Sequence, residues 1–307
     1  MYIVFILTGL FIALCAGILI YCYVYAFRGD SKRQSTPYDV PTSGFKDKVI
    51  KNIMCLMNTP YEDVEIMSDD SLRLYGRYYH FKDGAPVAIM MHGYRSNSYR
   101  DCNGAFQLAL KYGLNVLMPD QRAHGKSQGK TISFGVKERR DCALWVDYLT
   151  NRLGKDIKII LVGLSMGAAT VMMASDLVPP ENVKGIIADC GFSSPADILK
   201  EVAAQMHYPV KPTYFFLRLG ARIFGGFDPE EHSAVKSLRH TSIPVLFIHG
   251  ENDDFVPCRM SRECHDACAS KKQIFTVKNA AHGTSYYLNT EGYGKTVSDF
   301  LDYVLNI

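Results

Sequence analysis

Residues Gly163-Leu164-Ser165-Met166-Gly167 set a serine between two glycines in a G-x-S-x-G pattern. A serine hydroxyl attacks a carbonyl efficiently only when a base takes its proton and an acid orients that base. Both partners are available later in the chain. His282 stands in Ala281-His282-Gly283, on a short loop after the last apolar run. The other histidines after Ser165 are worse placed. His207 and His232 lie in an irregular stretch, His240 precedes an apolar run, His249 sits inside one, and His265 falls in a helical pattern. Carboxylates come from Gly250-Glu251-Asn252-Asp253-Asp254-Phe255-Val256-Pro257, where Asp253 and Asp254 are adjacent. The negative oxygen formed on an attacked carbonyl needs two backbone N–H donors. Met166, directly after the serine, supplies one. The loop His92-Gly93-Tyr94 supplies the other, with Gly93 permitting the twist, Tyr94 N–H as donor and His92 as a brace. The reaction open to such a set is acyl transfer.

The elements around these residues decide whether they can meet. Ile157–Val162 enters Ser165 as an apolar strand, and Met166–Leu177 leaves it as a helix. That strand–turn–helix context projects a serine from a strained turn, and flanking glycines let helix and strand approach closely. Further strands are expected at Tyr61–Met67, Leu72–His80, Val87–Met91, Asn115–Met118, Val183–Ala188, Pro244–Ile248 and Gln273–Val277. The first two form a hairpin across Asp69-Asp70. Helices are expected at Asn103–Tyr112, Gly135–Arg152, Arg259–Ala269 and Tyr293–Leu305. Short apolar strands alternating with helices predict a mostly parallel eight-stranded sheet covered on both faces, with its site at the carboxyl ends of the strands. Residues 193–237 break the alternation with Pro195, Pro209, Pro212, Gly225-Gly226 and an apolar helical run, Tyr214–Phe224. They read as a small helical cap, with Phe215, Phe216 and Tyr94 as candidate pocket side chains.

Met1–Phe27 contains no Asp, Glu, Lys, Arg or His. A bilayer core needs about 20 apolar residues in a helix, and Tyr21, Tyr23 and Tyr25 suit the headgroup level at one end. A cleaved signal peptide would carry a basic start and a shorter apolar core. A lipoprotein site would need a small residue before its cysteine, but Leu14 precedes Cys15 and Tyr21 precedes Cys22. An uncleaved single-pass membrane helix is the expectation. Arg28, Lys32, Arg33, Lys46, Lys48 and Lys51 all follow it and none precedes it, which places the body in the cytoplasm. Residues 28–59 then read as a polar linker over Ser31–Ser43 and an amphipathic segment with Val49, Ile50, Ile53, Met54 and Met57 at helical spacing. Residues 60–307 are expected to form the main folded domain.

Composition bounds the alternatives. With 34 Lys+Arg against 31 Asp+Glu, the net charge is +3 over 307 residues, too weak for a nucleic-acid binder driven by bulk charge. A hydrophobic share of 48% excludes a disordered chain. Nine scattered cysteines make no disulfide framework and fit a reducing compartment. Cys264 and Cys268 flank His265 one helical turn apart, yet lack a second ligand pair, so they read as small core-facing residues and no metal is expected.

Taken in order, five motifs resemble those of the α/β-hydrolase fold family, in the lineage of serine-aminopeptidase-like and monoglyceride-lipase-like hydrolases. They are His92-Gly93, Asp120-Gln121-Arg122-Ala123-His124-Gly125-Lys126-Ser127, Gly163 to Gly167, Gly250 to Pro257, and His282-Gly283. The second departs from D-x-R-G-H-G-x-S by Ala123, and in the family it shapes the loop near the nucleophile. The spacing G-x-x-D-x-x-V-P falls on Asp253, leaving Asp254 as a solvated or capping carboxylate. The resemblance covers residues ~60–305 and implies a Ser165–His282–Asp253 hydrolase working through an acyl-enzyme, with no cofactor. The membrane helix and aromatic cap lean towards lipid-like or acyl esters, including thioesters. A peptidase that removes N-terminal residues is the alternative, and it needs an acidic group for the substrate amine. A non-catalytic scaffold fits poorly with an intact set of three.

Overall fold

A parallel strand covered on both faces has no polar side, and the central strands obey that rule. In the computed structural model, which describes residues 1–29, 36 and 44–306, Val87–Met91 (β3) is buried at every position. The other strands are β1 (Glu62–Met67), β2 (Arg73–Tyr79), β4 (Asn115–Pro119), β5 (Ile159–Leu164), β6 (Val183–Asp189), β7 (Val245–Gly250) and β8 (Lys272–Val277). They form one eight-stranded sheet in the order β1-β2-β4-β3-β5-β6-β7-β8. β2 runs antiparallel to β1 and β4, and the remaining pairs are parallel. Successive residues point to opposite faces. Ile89, Leu161 and Phe247 therefore join one core with Trp145 and helix Met166–Ala174. Met90, Ile160 and Leu246 join the other with Phe106, Phe300 and Leu301.

Local chemistry sets where the helices start. The one expected from Gly135 begins at Glu138, because Phe134 and Gly135 hold positive φ of 55° and 96°. The last begins at Thr290, three residues early, because the Asn289 side chain accepts from Gly292 N–H as an N-cap. Arg259–Ala267 stops short of Ala269, since Cys268 is extended. The amphipathic segment forms helix Lys46–Asn58 and packs on the domain, burying Val49, Ile53 and Leu56. The linker expected over residues 31–43 lies outside the described residues, Thr36 excepted. The cap contains helices Pro195–Gln205 and Val210–Gly220, a π-helical turn Ala221–Gly225 and a short helix Ala234–Leu238.

Helix Tyr2–Ala26 is long and apolar enough to cross a membrane, and of its 25 residues only Cys22 and Ala26 are buried. Its far end is stitched into the body. Phe27, fully buried, packs edge-on against Phe134 and Phe227 at 5.8 and 5.4 Å. Ile132 N–H donates to the Phe27 carbonyl at 2.7 Å, and Gly29 N–H donates to Lys130 O at 2.9 Å. The last carbonyls of a helix lack intrahelical partners. Here the Tyr94 hydroxyl donates to Ala26 O at 2.8 Å, and the Arg95 guanidinium donates to Tyr25 O at 2.6 Å. Cap residue Gly220 lies against the same helix, where an added Cβ would come within 3.2 Å of Tyr23 Cβ.

Phe27→Ala is expected to cost about 3–5 kcal/mol of stability, read as a lower Tm of the full chain in detergent. Phe5→Ala, at a position that is 68% exposed, is expected to stay within about 0.5 kcal/mol.

Candidate active site

β5 ends at Leu164 and the next helix starts at Met166, so Ser165 must turn the chain alone. It does so at φ 56°, ψ −116°, a left-handed conformation costly for a residue with a side chain. The neighbouring glycines allow the approach this requires. A Cβ on Gly167 would lie 2.0 Å from Met91 O, and one on Gly163 would lie 2.3 Å from Gly167 O. Ser165 N–H donates to Asp189 O at 2.8 Å, tying the turn to β6.

The turn presents the Ser165 hydroxyl to His282. His282 Nε2 lies 2.9 Å from Ser165 Oγ, and its Nδ1 lies 2.7 Å from Asp253 Oδ2. With Nδ1–H donating to the carboxylate, Nε2 is left to accept the serine proton. Asp253 is reached from the loop after β7 and also receives Phe255 N–H at 3.0 Å and Val256 N–H at 2.8 Å. Burial alone would raise its carboxyl, but hydrogen bonds from His249 and His282 outweigh it and hold the group well below the usual carboxylate range. Asp254 is exposed, and its carbonyl accepts from Gln205 Nε2 at 2.8 Å.

Three supporting residues went unread in the sequence. His249, fully buried on β7, places Nε2 3.2 Å from Asp253 Oδ2 and 2.8 Å from Val256 O, while Nδ1 lies 2.6 Å from Ser261 Oγ. Asp101 accepts from Gly93 N–H at 2.6 Å and from the Ser96 hydroxyl at 2.7 Å, fixing the loop after β3. His124 accepts Arg95 N–H on Nε2 at 2.9 Å and lies edge-on to His92, ring centres 4.8 Å apart. His92 accepts Gln121 N–H on Nε2 at 3.1 Å and donates from Nδ1 to Gly93 O at 2.8 Å. The expected brace is thus a pair of neutral histidines, both pushed down by burial. The signal for His124 was its place in the Asp120–Ser127 stretch. His249 and Asp101 had no local signal.

Two cavities flank Ser165, and Tyr94 borders both. The smaller, about 230 Å³, is lined by Ser96, Arg100, Asp101, His282 and Thr284 among others. The larger, about 430 Å³, is apolar, and Met166, Phe192, Leu199 and Leu217 line it. Phe215 and Phe216, expected in the pocket, do not line it. Helix Val210–Gly220 turns Thr213 and Leu217, four residues apart, towards the cavity. Phe215 sits on the far face and is 60% exposed, and Phe216 packs on the main core instead. Cys22 and Ala26 of the N-terminal helix also line the larger cavity.

Among the described residues, one trio of ligand-type side chains converges, Cys190 with Asp253 and His282, their ligand atoms within 4.8 Å of one another. Burial pushes the Cys190 thiol well above its usual value, so it stays protonated and a poor metal ligand. The other two are already paired with each other.

Known proteins give concordant findings. The alpha/beta hydrolase fold family matches residues 86–240. The Bacillus subtilis protein YqkD is 32% identical over 225 residues, 72% of this chain and 72% of its own. The lysophosphatidylserine lipase ABHD12 of Danio rerio is 23% identical over 63% of this chain and 50% of its own. The Pyrococcus furiosus esterase Pf2001 superposes with a TM-score of 0.67 at 23% identity, over 90% of this chain and 99% of its own, a likeness of fold.

The histidine brace makes a pH-dependent prediction. Burial pushes His124 down to about 3, whereas an unfolded histidine titrates near 6.5. Between those values the unfolded chain takes up a proton that the folded one refuses. The contribution of neutral His124 is therefore complete above about pH 6.5 and erodes by about 1.4 kcal/mol per pH unit below it, until about pH 3. His124→Gln keeps an acceptor for Arg95 N–H and lacks that slope. The Tm gap between wild type and variant is expected to narrow from pH 7 to pH 5, and a constant gap would show that His124 titrates alike in both states.

Proposed function

The chain belongs to the α/β-hydrolase fold family, and from that premise we propose that it is a membrane-anchored serine hydrolase cleaving carboxylic or thio-esters of acyl substrates. The observation that carries the reading is the unbroken hydrogen-bonded chain from Ser165 Oγ through His282 to Asp253. Ser165 attacks the acyl carbonyl while its proton passes to His282 Nε2. The N–H groups of Tyr94 and Met166 receive the developing oxyanion, each worth roughly 10²–10³ in rate. His282 then protonates the departing alcohol or thiol, leaving an acyl-enzyme. Water then attacks the acyl carbonyl while its proton passes to His282, and His282 returns that proton to Ser165 Oγ as the acyl–serine bond breaks and the acid leaves. Asp253 remains ionised and holds the imidazole in the tautomer that the step needs.

The cavities support an ester over a peptide. Among the described residues no carboxylate lines the larger one, and Arg95 is the one charged residue that does. A substrate ammonium has no partner there. Asp101 borders the smaller cavity, but its oxygens already serve Gly93 N–H and the Ser96 hydroxyl. An acyl chain suits the apolar side and the alcohol portion the polar one. The domain limits are proposed as a membrane anchor over 1–27, a connecting segment over 28–59 and the hydrolase domain over 60–307, with its cap at about 193–237. The body is assigned to the cytoplasm. Supporting this are Arg28, Lys46, Lys48 and Lys51, all C-terminal to the helix, and nine free cysteines.

A fluorophosphonate probe is expected to label the wild type and not Ser165→Ala, and equal labelling would remove Ser165 as nucleophile. Asp253→Asn is expected to lower kcat by roughly 10⁴-fold. On p-nitrophenyl esters of rising chain length set against aminoacyl-anilides, turnover is expected for the esters. Robust anilide cleavage with flat ester activity would favour the peptidase. Protease added outside sealed cells is expected to spare the body, and its digestion would reverse the orientation.

A further inference from the structure

The larger cavity has a wall that lies outside residues 86–240, the part matched by the family. Tyr21, Cys22, Tyr25 and Ala26, from the last turns of the apolar N-terminal helix, line it together with Ser165. This wall is held in place. The Tyr94 hydroxyl and the Arg95 guanidinium, from the loop beside Ser165, donate to the carbonyls of Ala26 and Tyr25. Tyr23 OH lies 2.8 Å from Thr131 Oγ1, and its ring lies 5.4 Å from that of Phe224 in the cap. The helix end is therefore a built part of the site and not a tether that happens to pass by.

The exposure of the lining gives the cavity a direction. Ser165 and Met166 are buried at one end. At the other, Tyr21, Tyr25 and Tyr208 are exposed, and Tyr25 OH reaches Met206 Sδ across the rim. The rim belongs to the last turns of the apolar helix, whose tyrosines suit the boundary between hydrocarbon and headgroups. Around it, cap residues Phe215, Ile223 and Phe224 expose apolar side chains although the chain has a core in which to bury them. Large exposed apolar groups clustered at the base of a membrane helix match a surface that rests on lipid.

We infer that the C-terminal turns of the membrane helix form a specificity-determining wall of the acyl cavity, and that the cavity takes the chain of an ester amphiphile lying in the adjoining leaflet. This rests on the hydrolase reading above. The chain enters past Tyr21 and Tyr25, lies along Cys22 and Ala26, and brings its carbonyl to Ser165. Cys22 is the selective position, because a larger side chain there grows into the cavity and shortens it.

The test uses the full chain reconstituted in phosphatidylcholine vesicles, with p-nitrophenyl acetate and p-nitrophenyl palmitate as probes. In Cys22→Trp the palmitate-to-acetate ratio of kcat/KM is expected to fall at least tenfold, and in Cys22→Met by a smaller factor. Fluorophosphonate labelling of Ser165 reports that each variant is folded, and Cys22→Met carries the test if Cys22→Trp does not label. Leu14→Trp, on the exposed part of the same helix, is expected to leave the ratio unchanged. At fixed bulk palmitate ester, a tenfold dilution with added lipid in the same vesicles is expected to slow turnover about tenfold. An unchanged ratio in the Cys22 variants overturns the wall, and a rate indifferent to lipid dilution overturns the leaflet route. A wild type that labels with fluorophosphonate and cleaves neither ester instead overturns the ester reading itself.

Discussion

One left-handed residue governs the site. Ser165 must hold φ 56° between a buried strand and a buried helix, a sparsely populated conformation that costs roughly 1–3 kcal/mol. The chain pays that strain because both neighbours are fixed. β5 is paired on both sides, and helix Met166–Ala174 is buried at all nine positions. The helix can come that close only because Gly167 meets the Met91 carbonyl where any Cβ would overlap it. The serine is thus exposed to chemistry by the same contacts that leave it no freedom.

The rest of the site holds charges and protons where that turn needs them. Asp253 stands between two imidazoles and two backbone N–H groups, so its negative charge survives burial. His92 and His124 do the opposite work, staying neutral so that each can donate on one nitrogen and accept on the other. Through them the loop after β3 and the loop after β4 become one unit. A charged imidazole at either place would have no acceptor for its second proton, since Gln121 N–H and Arg95 N–H already point at the ring nitrogens.

Much of this was legible in the sequence, for a physical reason. The sheet could be read because buried strands are short and uniformly apolar, as in Val87–Met91. The serine turn could be read because glycine spacing and the switch from strand to helix are local. What could not be read depends on how elements dock. Phe215 and Phe216 look like pocket residues by composition, yet the facing of their helix gives the cavity Thr213 and Leu217. His249 is one residue in an apolar run until β7 is seen to end beside Asp253. Cys22 looks no different from Cys15 in a stretch that is apolar throughout, and only the docked helix end separates them, one lining the cavity and the other not.

That docking has a mechanical side. A helix of 25 residues is roughly 37 Å long at 1.5 Å per residue, more than a hydrocarbon core of about 30 Å. In a bilayer such a helix leans over to fit. Free linkers usually let a soluble body ignore that lean, but Phe27 to Gly29 are seated in the body with no slack between. Were the helix seated in a bilayer, its tilt and the attitude of the body would be a single rigid-body coordinate, and a bilayer of different thickness would swing the face that carries Ser165 along with the helix.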